Sequence, residues 1–247
     1  MSIYKEYFKK PERELNDKFK KIGFLPQEGT KEFEALIKAQ KSNVEWKNGS
    51  FEIAMDLISD AILLWPENQN YYKIKGEYLY SLSKYELALC ELDIYLSFGN
   101  QDALIYEKLG ICNLAVKEYH IAKSAFSASI SILINKKSEF ESFYNLNYSE
   151  VLSRIYNNLA NAKLSIGSKD ELNSLTEDCL KAIKISPNYS SPYFTLGLAY
   201  LKVHELISVP YNNQFLIDSI DFLNKAVHLG NPKAQIHIDI IEKKYGI

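Results

Sequence analysis

At 247 residues the chain has room for one or two ordinary domains, or for a single array whose core lengthens unit by unit. Its 47% hydrophobic and 24% charged content excludes a disordered chain. Balanced charge, 29 basic against 31 acidic residues and a net −2, excludes the strong basic excess of a dedicated nucleic-acid binder.

The N-terminus reads MSIYKEYFKKPEREL, with no apolar run behind a basic start, so no secretory signal is expected. No window approaches 18 uninterrupted apolar residues, so no membrane insertion is expected either, and a cytoplasmic location follows. Residues 1–30 read as an N-terminal extension or cap. A charged helix is expected over Glu12–Lys21, ended by Gly23, Pro26 and Gly29. Ile3, Tyr4, Tyr7 and Phe8 are available to cover apolar surface further along the chain.

From residue 31 onward the chain repeats itself. Ala54, Ala88 and Ala122 are spaced 34 residues apart, and so are Gly76 and Gly110, and Tyr72 and Tyr106. A fixed period of this length signals stacked units, none of which buries its apolar face alone. Within a unit the aromatic and the Gly are four residues apart, hence on one face of a helix. The Gly costs about 1 kcal/mol of helix propensity against Ala. It permits close approach of a second helix, where Ala88 or Ala122 is followed four residues later by Leu92 or Phe126.

These residues give a clear resemblance to the tetratricopeptide repeat. The stretch Ala182-Ile-Lys-Ile-Ser-Pro187-Asn-Tyr, followed by Tyr193, Leu196, Gly197 and Tyr200, matches the pattern at seven positions. The resemblance implies an all-α fold, a right-handed α-solenoid of about five helix-turn-helix repeats. These are placed at about 35–68, 69–102, 103–136, 153–189 and 190–232. Lys233–Ile247 reads as a capping helix, in which Ile236, Ile238, Ile240 and Ile241 alternate with charge. Two insertions depart from the period. Residues 137–152 contain Phe140, Phe143, Tyr144 and Tyr148, and 203–213 contain Pro210. Such insertions fall at turns or lengthen helices.

In proteins similar to this one, the first helix of each unit lines a concave groove. Carrying that register over gives Asn43, Trp46 and Lys47, then Asn70, Lys73, Glu77 and Tyr80. The third unit gives Leu104, Glu107, Ile111 and Leu114, the fourth Arg154, Asn157, Asn161 and Leu164, and the fifth Phe194, Leu198, Leu201 and Lys202. The third and fifth units thus place apolar side chains where solvent would stand, the mark of a partner site. The competing reading is self-burial under the N-terminal arm, the 137–152 insertion or a neighbouring unit. The family's carboxylate clamp is not expected: Ala39, Ile74 and Leu104 stand where it needs Lys, Asn and Lys, and only Lys108 keeps a charge.

No chemistry-bearing motif is present. There is no GxGxxG, GxxxxGKS/T, HExxH or GxSxG. His120, His204, His228 and His237 are scattered without metal-ligand spacing, and Asp56 and Asp60 read as a solvated helix edge. Cys90, Cys112 and Cys179 form no C-x-x-C pair and read as small apolar residues on buried faces, with neither a disulfide framework nor a zinc site. No metal, cofactor or enzymatic activity is expected. The leading expectation is a non-catalytic adaptor or scaffold that binds a peptide segment of another protein, without nucleic acid. Alternatives are a chaperone-like protein for a secreted or assembling client, and an RNA-binding helical repeat. The sequence leaves oligomeric state open.

Overall fold

The computed structural model describes residues 26–207 and 213–246, which form helices joined by turns. The expected helix at Glu12–Lys21, the aromatic residues before it and Pro210 lie outside the described residues. Helices α1 (Lys31–Lys47) and α2 (Phe51–Leu64) make the first antiparallel pair. They are followed by α3 (Gln69–Ser81) with α4 (Tyr85–Ser97), and α5 (Ala103–Ala115) with α6 (Tyr119–Asn135). A short α7 (Lys137–Phe143) precedes the pairs α8 (Tyr148–Ile166) with α9 (Lys169–Ile185), and α10 (Ser190–Ile207) with α11 (Gln214–His228). Helix α12 (Pro232–Tyr245) comes last. Within each pair the helices pack on one another, and the second leans on the first helix of the next pair, which is the connectivity of an α-solenoid.

The first three pairs turn in the same way. Gly49, Ser83 and Lys117, 34 residues apart, each adopt positive φ, at 83°, 57° and 66°. In each case the amide three residues past the last helical residue reaches back to close the cap. Ser50 N donates to Glu45 O at 2.9 Å, Lys84 N to Leu79 O at 2.9 Å and Glu118 N to Asn113 O at 2.8 Å. Polar side chains start the helices. The Thr30 hydroxyl accepts from Phe33 N at 3.2 Å, Asp102 Oδ1 accepts from Leu104 N and Ile105 N, and Asn147 Oδ1 accepts from Ser149 N.

Close packing inside each pair follows the expected small-against-large logic. A Cβ built on Gly76 would lie 2.6 Å from Leu92 Cδ2, one on Gly110 2.5 Å from Phe126 Cε1, and one on Gly197 2.6 Å from Leu223 Cγ. In the fourth pair the volumes are redistributed, with Ala160 buried beside Leu175 and Cys179. Buried hydroxyls bond the facing backbone: Ser42 donates to Ala54 O, Ser129 to Ala103 O, Ser153 to Ala182 O and Ser219 to Gly197 O, at 2.6–2.9 Å. Each would otherwise be a costly unsatisfied polar group.

The first insertion is a buried aromatic plug. Phe140 of α7 packs on Tyr144 (4.9 Å) and Tyr148 (5.9 Å). It joins a cluster with Phe126, Leu133, Val151 and Ile155, and α8 gains extra turns at its N-terminus. In the fifth pair the extra residues prolong α10 to Ile207. Cys112 and Cys179 are buried as expected. Cys90 is not: it lies exposed on α4.

Candidate interaction surface on the inner helices

Successive first helices lie side by side and form the inner wall. At the first junction Trp46 stacks flat on Tyr78, with centroids 4.0 Å apart and planes 2° apart. The Tyr78 hydroxyl donates to Asn43 Oδ1 at 2.7 Å. At the second, Lys73 reaches Asp102 at 2.6 Å and Lys108 reaches Glu77 at 2.9 Å. At the third, the Arg154 guanidinium bonds both oxygens of Glu107, at 2.7 and 2.8 Å. At the fourth, Thr195 Oγ1 lies 3.0 Å from Asn157 Oδ1 and 3.1 Å from Asn161 Oδ1, and Lys202 Nζ donates to Leu164 O at 2.8 Å.

The electrostatics follow from these pairings. Burial pulls the Lys73 ammonium down, and the Asp102 carboxylate with its hydrogen bond more than reverses this, so Lys73 ends well above its ordinary range. Arg154 is raised by its bond to Glu107. The Tyr144 hydroxyl is pushed up to about 12, first by burial and then by the Asp102 charge beside it. Burial also raises the thiol of Cys112, to about 11, and that of Cys179 further, which keeps both as protonated core residues.

The expected groove residues therefore divide. Asn43 and Lys47 are exposed, and Tyr80, Leu198 and Asn161 are half-buried. Lys73, Glu77 and Arg154 do face the inner wall, but their charges are spent on neighbouring units. Asn157 is buried rather than lining a groove. The apolar residues expected to stand in solvent do not stand free. Leu104, Ile111 and Leu114 pack half-buried against the cluster that joins α6 and α8. Phe194 packs against α12, with its ring 5.3 Å from that of His237. A neighbouring unit covers them because each first helix rests on the next. Many of the larger exposed aliphatics sit instead on outer helices, where Ile53, Leu87 and Ile121 recur 34 residues apart. The sequence reading missed Tyr78, Asp102 and Thr195 as the partners that consume groove polarity. Their signal was the spacing to the next unit's first helix.

Among the described residues, no three His, Cys, Asp or Glu side chains come together as metal ligands, and no helix is long and apolar enough to cross a membrane. Asp60, read as part of a solvated pair, bonds Lys38 at 2.8 Å.

No protein-family model matches the chain, and no curated protein matches its sequence. Solved structures do match its fold. MamA is 19% identical with a TM-score of 0.63, over 81% of this chain and 94% of that one. A MamA from Desulfovibrio magneticus RS-1 is 16% identical with a TM-score of 0.63, over 79% and 94%. YrrB, described as a TPR protein with an unusual peptide-binding site, is 12% identical with a TM-score of 0.63, over 83% and 91%.

Proposed function

We propose that this chain, whose fold is that of the tetratricopeptide-repeat proteins, is a non-catalytic adaptor that holds a segment of another protein along its inner helices. The observation that supports this most is the internal neutralisation of the inner wall. Lys73, Lys108 and Arg154 are each matched by a carboxylate of a neighbouring unit. What remains presented is a mixture of amide, aromatic and aliphatic groups, from Asn43 through Tyr80 and Asn161 to Leu198. Such a surface suits a peptide, whose backbone offers alternating donors and acceptors and whose side chains supply apolar anchors. It does not suit a polyanion, which needs unpaired cations converging on phosphates. The fold is shared with YrrB, a TPR protein with an unusual peptide-binding site.

Cross-linking in extract of the source organism, read by mass spectrometry, tests the reading. Links from one partner to Lys47 and Lys108 on the inner helices are expected. They should be lost from a Tyr80→Ala/Leu198→Ala variant that keeps both lysines and its helical circular dichroism. Links confined to outer-helix lysines such as Lys181 would place binding elsewhere. A salt-sensitive shift on RNA would overturn the adaptor reading.

A further inference from the structure

Helix α12 was read from sequence as a simple end cap, and half of it is one. Ala234, Ile238 and Ile241 are buried against Leu216, Leu223 and Ala226. Their spacing, four then three, repeats that of Ile105, Leu109 and Cys112 in α5, and of Ile155, Leu159 and Ala162 in α8. Helix α12 thus sits as another first helix, set on the preceding pair through the same stripe. A second contact fixes the register. His237 meets Phe194 of the preceding first helix, just as Asn158 meets Glu107 two junctions earlier, at 3.3 Å.

That register decides where the other two isoleucines go. Ile236 and Ile240 follow the buried stripe by two residues, as Glu107 and Ile111 do in α5, and Asn157 and Asn161 in α8. They therefore occupy the inner-wall stripe of the solenoid. They are 59% and 54% exposed, on an end helix whose free face would ordinarily be polar. The preceding first helix carries Phe194 and Leu198 on the same stripe. The inner wall thus ends in a four-residue apolar platform.

One cation beside the platform is unmatched, although Asp239 and Glu242 share its helix. Lys243 continues the stripe one turn beyond Ile240 and has no carboxylate partner among the described residues. Lys202 donates to the Leu164 carbonyl rather than to an acid. Further back, Lys73, Lys108 and Arg154 are each matched by a carboxylate, and the exposed Lys47 lies at the opposite end of the wall.

We propose that this platform is the anchor site of the groove. It would take a peptide segment bearing a large aliphatic or aromatic side chain with an acidic residue next to it. The apolar side chain would rest on Phe194, Leu198, Ile236 and Ile240, and the carboxylate would face Lys243. The proposal rests on the adaptor reading and gives it a polarity, with the anchor at the α12 end. A symmetric second copy fits less well, because it would bring two Lys243-bearing faces together.

The test is a selection from a random 12-residue displayed peptide library against the full chain. Enriched peptides are then synthesised and titrated onto wild type, Ile236→Ser/Ile240→Ser and Lys243→Glu. The isoleucines are exposed, so the double variant should keep the wild-type melting curve. Enriched peptides are expected to pair an aromatic or aliphatic residue with Asp or Glu. They should bind the double variant at least about tenfold more weakly, equivalent to about 1.4 kcal/mol. Peptides that bind all three proteins equally would overturn the anchor site and leave the adaptor reading standing. Basic consensus peptides would overturn the assigned chemistry. No enrichment at all would overturn both readings. A wild-type dimer by light scattering that the double variant dissolves would make the platform a self-interface and overturn the proposal.

Discussion

Gly110 and Phe126 are fitted to each other so closely that a Cβ on the glycine would stand 2.5 Å from the ring. Phe126 is among the largest fully buried side chains, and its ring bridges the third pair to the cluster holding α8. The ring cannot retreat, because its far side is filled. Gly110→Ala is therefore expected to lower unfolding free energy by about 2–3 kcal/mol, despite the better helix propensity of Ala. Adding Phe126→Leu should restore part of that loss, since the smaller side chain leaves room for the methyl. Urea unfolding of both single variants and the double variant checks the coupling. Strict additivity would show that the two positions do not compete for one volume.

Lys117 holds φ at 66° where the first pair has Gly49 at 83°. A side chain in the left-handed region costs about 1 kcal/mol that glycine does not incur. The same cap hydrogen bonds form in either case, so nothing else is lost. Lys117→Gly is expected to raise stability by about 0.5 kcal/mol, after the greater freedom of glycine in the unfolded chain is subtracted. A fall in denaturation midpoint would show that the lysine contributes some further contact.

The architecture was legible because the features that set it are periodic. Ala54, Ala88 and Ala122 mark one contact surface, and Gly76 and Gly110 mark its counterpart. The insertions were visible as breaks in the period but not as structures. Nothing in 137–152 announces that Phe140 will be buried while Tyr148 begins α8. The inner wall was harder still. A register says which residues point inward, but not that Arg154 will be spent on Glu107 or Lys73 on Asp102, because those contacts join different units. Ile236 and Ile240 were read only as part of a capping helix, with no place on the inner wall, for a related reason. The turn into α12, Leu229–Asn231, is two residues shorter than Phe98–Asp102 into α5, so counting by 34 places α12 two positions out of phase.

Glu107 is only 5% exposed, whereas the Arg154 side chain that pairs with it is 45% exposed. The asymmetry makes the two deletions unequal. Arg154→Ala leaves a buried carboxylate with only the Asn158 amide as partner, and is expected to cost about 2 kcal/mol. That is below the range for a fully buried pair, because the arginine is half in water. Glu107→Gln leaves an arginine that can turn to solvent, and should cost about half as much. Thermal melts of the two variants decide it. Equal losses would mean that the pair acts as a surface ion pair and not as a buried charge with one solvated partner.

Alkaline pH should loosen the junction between the second and third pairs before it affects the rest. Lys73 and Tyr144 both meet Asp102, and both titrate above their ordinary values in the folded chain. A raised folded value means that the folded chain holds its proton where the unfolded chain has lost it. The resulting stability is fully present below the ordinary values near 10 and disappears as pH rises through the folded ones. For Tyr144 that window runs from about 10 to about 12. Inside the window each such group lowers stability by up to about 1.4 kcal/mol per pH unit. Stability should therefore be insensitive to these groups between pH 7 and 9 and fall steeply above about 10. Tyr144→Phe removes one titration and should make the fall shallower. Urea midpoints measured at pH 8, 10 and 11 for both proteins check the sign, and an unchanged slope in the variant would remove Tyr144 from the account.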